Sequence, residues 1–143
     1  MHNLTRVVAA VAVAAVALAC GTAWAQHQDA EKVAVETSKV WLALVDAGKY
    51  AESWDAAASL FRGAVAKEDW IQLMVGNRKP LGKLVSRTFG ASKYMTSVPG
   101  APDGQYVVIQ YKTVFENKAQ SIETVTPMVD KDGSWGVSGY YIK

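Results

Sequence analysis

Sulfur nucleophiles and imidazoles are nearly missing from this chain. Among 143 residues there is one cysteine, Cys20, and there are two histidines, His2 and His27. A single thiol cannot form a disulfide within the chain, so no covalent staple supports the fold. Thiolate zinc sites and Cys-His or Ser-His-Asp constellations lack their parts as well. Charge of one sign is also lacking: 15 Lys and Arg stand against 13 Asp and Glu, a net charge of +2. Phosphate recognition needs a concentrated basic face, so nucleic acid is excluded as a partner class. No run of like charges marks a polybasic membrane patch. The one long apolar run, Val7–Ala19, is shorter than the roughly 20 residues that a bilayer-spanning helix requires.

What is present begins with that run. Met1–Arg6 carries one cationic side chain, Val7–Ala19 is unbroken Val, Ala and Leu, and Ala23-Trp24-Ala25 puts small residues where a signal peptidase reads. This is the order of a secretory signal peptide. The expectation is residues 1–25 as a leader and residues 26–143 as one domain, free in the periplasm or secreted. Ala17-Leu18-Ala19-Cys20 keeps a second processing open, in which Cys20 becomes the lipidated terminus of an anchored lipoprotein. Cleavage after Ala25 removes Cys20 and His2, and it leaves His27 second in the chain, where termini are usually loose. With Arg6 gone, the fifteen basic residues become fourteen against thirteen acids, still near neutrality. The folded body is left with carboxylates, Tyr, Lys and Arg for any chemistry. No catalytic residue, metal ligand or cofactor motif stands out.

Hydrophobic spacing changes character at Pro80-Leu81-Gly82. Before it, apolar residues recur at helical intervals. A first helix is expected from about Asp29, with Val33, Thr37, Val40, Trp41, Leu44 and Val45 on one stripe and Gly48 as its stop. A second covers Tyr50, Trp54, Ala57, Ala58 and Phe61 up to Gly63. A third starts near Lys67, carries Trp70, Ile71, Leu73 and Met74, and ends before Pro80. After it come four strands. Lys83–Val98 holds Gly90 at a bulge or bend. Gln105–Phe115 alternates strictly, with Val107, Ile109, Tyr111, Thr113 and Phe115 on one face. Gln120–Val129 is Thr-rich. Trp135–Ile142 follows the hairpin loop Asp130-Lys131-Asp132-Gly133 and puts Trp135, Val137, Gly139 and Tyr141 on one side. The class is α+β: three N-terminal helices packed on a curved four-stranded antiparallel sheet, since the strand connections are too short for crossovers.

These residues also resemble a known family. Val40–Tyr50, Ser53-Trp54, Leu60-Phe61, Trp70, Asn77–Gly82, Arg87 and Trp135–Tyr141, in that order, are similar to an exported bacterial family labelled domain of unknown function, number 4019. The resemblance runs from about Val33 to the end. It implies a cone-like fold of the nuclear transport factor two type, or a cystatin-like one, and it implies no activity.

Six residues are candidates for ligand binding: Trp54, Arg78, Arg87, Tyr111, Trp135 and Tyr140. Trp41, Trp54 and Trp70 lie on helical stripes, which reads as core; Trp135 follows a turn, at the sheet rim. The strand tyrosines Tyr94, Tyr106, Tyr111, Tyr140 and Tyr141 either line a cone or pair across strands. Arg78 and Arg87 flank the Pro80 turn, where they could clamp an anion or tie the third helix to the first strand through carbonyls or acids. Asp46 and Asp55 read as surface acids. Three functions stay open: a non-catalytic periplasmic domain binding a small apolar ligand or an envelope protein; a structural homodimer; and a cofactor-free isomerase or lyase using a buried carboxylate with a tyrosine.

Overall fold

The computed structural model describes residues 12–143, with side chains from residue 21 onward. Four α-helices precede a four-stranded sheet among the described residues: α1 Ala12–Asp46, α2 Tyr50–Asp55, α3 Ser59–Ala64, α4 Lys67–Asn77, then a 3₁₀ turn Lys79–Leu81. The strands are β1 Leu84–Met95, β2 Tyr106–Phe115, β3 Lys118–Val129 and β4 Trp135–Ile142. They form an antiparallel meander in the order β1-β2-β3-β4, and α1 crosses one face of it. The α+β class and the four antiparallel strands agree with the sequence reading.

Three local expectations are corrected. The helices number four rather than three, because the second stripe breaks after Asp55. There Ala57-Ala58 leave the helix so that the Ala58 amide can donate to the Val137 carbonyl at 2.8 Å, docking the bend on β4. Helix α1 starts well before Asp29 and runs through Ala23-Trp24-Ala25; Gly21 is the only breaker in an Ala-rich stretch of strong helix formers. The buried face of α1 is rotated by about one residue from the expected stripe. Ala34, Ser38, Trp41, Leu42 and Val45 are buried, whereas Val33 and Val40 are 48% and 69% exposed. The leader segment before residue 12 and the side chains of His2 and Cys20 lie outside the described residues.

The core lies between α1 and the sheet and continues under α2, α3 and α4. Trp41, Trp70 and Phe61 are buried there, with Phe61 edge-on to Trp70 at 5.0 Å between ring centroids. Fully buried Ser53 makes these indoles tolerable inside. Its carbonyl accepts from the Trp41 Nε1–H at 2.8 Å and its hydroxyl from the Trp70 Nε1–H at 2.9 Å. An indole N–H buried without such a partner would cost about 1–3 kcal/mol. Helix stops and turns behave as the sequence indicates: Gly48 and Gly133 have φ of 73° and 84°.

Two irregularities decide what the sheet presents to α1. In β1, Phe89 pairs with Tyr111 and Ala91 with Gln110, so Gly90 is one residue too many. In β4, Gly139 pairs with Thr126 and Val137 with Pro127, so Ser138 is the extra residue, and its hydroxyl donates to the Thr126 carbonyl at 2.8 Å. Each bulge reverses the in–out alternation beyond it. The expected face of β4 is therefore corrected. Tyr140, not Tyr141, shares the inner side with Val137, and Tyr141 is 60% exposed.

Candidate functional site

The inner face of the sheet brings together four charged residues that lie far apart in the chain. Arg87 on β1 faces Thr113 on β2, which faces Ser121 on β3, with Glu123 next on the same side. Tyr140 reaches the same point from β4 because of the Ser138 bulge, and Asp46 from the last turn of α1. Arg87 holds both acids in a forked, two-bond grip. Its Nη1 and Nη2 donate to Asp46 Oδ2 and Oδ1 at 2.7 and 3.0 Å. Its Nε and Nη2 donate to Glu123 Oε1 and Oε2 at 2.7 and 3.1 Å. Arg78, buried at the end of α4, adds a third guanidinium bond to Asp46 at 3.2 Å, donates to the Gly82 carbonyl at 2.7 Å and lies 4.3 Å over the Phe115 ring. Two cations and two anions thus neutralise one another inside the fold.

Glu123 is 0% exposed. Besides the two bonds from Arg87, it accepts the Thr113 hydroxyl at 2.5 Å and the Tyr140 hydroxyl. A carboxylate has about four acceptor positions, and all are filled from within the chain. Burial pushes the Tyr140 phenol well above its ordinary pKa, and the neighbouring Glu123 charge and hydrogen bond add to this, so the phenol stays a donor. Burial works against the charge on Arg87, but the hydrogen bonds to Asp46 and Glu123 outweigh it and raise its pKa. A base needs a free lone pair facing a substrate. Glu123 has none to offer, so the pairing of carboxylate and tyrosine here builds a locked joint.

Three of the six sequence candidates, Arg78, Arg87 and Tyr140, meet in this cluster. The anion that the two arginines clamp is Asp46 of the same chain, which sequence position alone marks as a surface acid. Tyr111 is buried opposite Glu123 in the β2–β3 ladder, and its hydroxyl shares a 2.6 Å hydrogen bond with Ser38 of α1. Trp54 is half-buried, donates to the Val65 carbonyl at 2.8 Å and lies under Lys67. Asp55 pairs with Lys67 at the surface. His27 is exposed, as a terminal residue would be, yet it is not loose. Its ring stacks on Tyr94 at 4.2 Å. Sequence reasoning missed Glu123 and Thr113. The available signal was parity: Glu123 is the one acid in β3 and falls in step with Val125, a buried position.

Trp135, the sixth candidate, belongs to a different feature. It closes a groove of ≈ 590 Å³ whose other wall is the outer stripe of α1: Val33, Thr37, Val40 and Leu44, with Trp41 and Ala56 at the base and Lys32 and Glu36 on the rim. Val33, Thr37, Val40 and Leu44 of the expected α1 stripe thus line an open surface, while Trp41 and Val45 are core as expected. Its size falls in the roughly 300–1,000 Å³ range of small-molecule sites. Among the described residues, no group of three or more His, Cys, Asp and Glu side chains is placed to hold a metal ion, and no helix is long and apolar enough to cross a membrane.

Residues 37–140 match the family model described as Protein of unknown function (DUF4019). Neither the curated proteins nor the solved structures contain a match to the chain.

Proposed function

The chain belongs to the DUF4019 family, and we propose that it is an exported, non-catalytic periplasmic domain that binds a small apolar ligand or an envelope protein through the α1–Trp135 groove. The leader pattern ending at Ala25 supports export. The long helix laid on a four-stranded meander supports the cystatin-like or nuclear transport factor two-like kinship expected from sequence. The observation that carries the binding reading is a contrast. The Glu123 carboxylate is saturated internally, whereas Val33 and Val40 stay open beside an indole. Fully burying such a side chain is worth roughly 1.5–3 kcal/mol, and the part that stays exposed here is a gain that an apolar occupant collects. The apolar dye anilinonaphthalene sulfonate tests this. Native protein should enhance its fluorescence saturably, and Val40→Glu should abolish the enhancement at unchanged Tm. A native protein that leaves the dye dark, or a variant that binds as well as the parent, refutes the reading.

The outer sheet face favours a second reading, a homodimer of the cell envelope. Tyr141 is 60% exposed on that face, while the hydroxyl of its cross-strand neighbour Thr124 is buried without a partner. Sedimentation equilibrium decides: mass doubling with concentration, lost in Tyr141→Lys, supports it, and a strict monomer at high concentration removes it.

A further inference from the structure

We infer that the exported chain is sealed at its amino terminus by a pyroglutamyl ring formed from Gln26, an inference that rests on the cleavage after Ala25 proposed above. That cut makes Gln26 the first residue, and glutamine is the residue type whose own side chain can close on a terminal amine. The α-amino nitrogen attacks the side-chain amide carbon. A carbon–nitrogen bond forms in a five-membered lactam, the bond from that carbon to Nε2 breaks, and one amine proton leaves with the nitrogen as ammonia. No oxidant, metal or co-reactant is needed.

The fold favours the closed form. Residues 21–29 are exposed, so the side chain of Gln26 is open to solvent. The cut falls within α1, so an open terminus would place an ammonium at the positive end of the helix dipole, where cations are disfavoured. The lactam is neutral, and its ring fixes the backbone much as proline does at a first helical position, where proline is well tolerated. One residue on, the His27–Tyr94 stack holds the start of the mature chain against β1. The result is a short, uncharged terminus closed to aminopeptidases.

The test is to express the full chain in an exporting bacterium, recover it from the periplasm, and measure intact mass with and without pyroglutamyl aminopeptidase. The expected product spans residues 26–143, is lighter by one ammonia, about 17 Da, resists Edman degradation, and reads from His27 after the enzyme. Gln26→Ala should be cut at the same bond, show no such loss and present an open amine. A chain beginning at Gln26 with full mass and a free amine overturns the cyclisation and leaves the cleavage intact. A chain beginning elsewhere overturns both. A mass loss persisting in Gln26→Ala overturns the assignment to this residue.

Discussion

At the scale of single residues, Glu123 and Arg87 are where the fold is most exposed to damage. A buried ion pair adds little net stability when intact, because desolvation offsets attraction, but removing one partner strands the other. Glu123→Ala leaves Arg87 with half its partners and the Thr113 and Tyr140 hydroxyls with none. It should cost about 3–5 kcal/mol, read as a large fall in urea midpoint, whereas Tyr140→Phe, which empties one acceptor position, should cost about 1–3 kcal/mol. Equal small losses in both would mean that the cluster is not a unit. Arg78, Arg87 and Tyr140 were legible in the sequence because long polar side chains stand out beside a turn and on a strand. Their acidic partners were not. A charge at a helix end, like Asp46, or inside a Thr-rich strand, like Glu123, reads as solvent-facing until the pairing across strands is known.

At the scale of elements, legibility followed regularity. Gln105–Phe115 alternates without interruption and forms β2 almost residue for residue. The face of α1 was misjudged because Val33 and Val40 are more apolar than Ala34 and Ser38. The helix turns Ala34 and Ser38 inward beside Trp41, Leu42 and Val45, and Ser38 reaches the Tyr111 hydroxyl. The orientation of β4 could not be read because its bulge carries no breaker; Ser138 is an ordinary strand residue. Deleting Ser138 should restore plain alternation while leaving Tyr140 two places from Val137, so Tyr140 stays on the inner face and keeps its bond to Glu123. The expected outcome is a phenol that resists ionisation as the parent's does, followed by ultraviolet difference spectra. A deletion variant whose Tyr140 loses that protection would show that Ser138 is not the extra residue that sets the register.

At the scale of the whole molecule, helices and sheet are tied at both ends of the core. Asp46 and the arginines form one tie. Asp130 forms the other, accepting the Ser59 amide at 2.7 Å and the Ser59 hydroxyl at 2.5 Å, which joins the β3–β4 hairpin to α3. Those Ser59 bonds, with the Lys131 amide, hold the Asp130 carboxyl down at about 2 against an ordinary 3.8. A depressed carboxylate stabilises the fold fully above its unfolded pKa and loses that contribution as pH falls through the folded one. The difference in Tm between the parent and Asp130→Ala should therefore be constant above about pH 5 and shrink as pH drops toward 2. A gap that persists unchanged at the acid end would mean that the tie is not electrostatic. The overall class was readable because helical and strand periodicities occupy separate halves of the chain. The ties were not, since each joins residues more than thirty positions apart.

The extra residues in β1 have a consequence beyond aiming side chains. With the meander ending at β1, that strand is a free border, and a straight border of twelve residues invites another chain to add itself on in an endless ladder. The kinks at Val85 and Gly90 break its repeat every few residues, and Lys93 adds a charge along it. The same irregularity that turns Arg87 toward Glu123 also makes this border a poor template for strand addition.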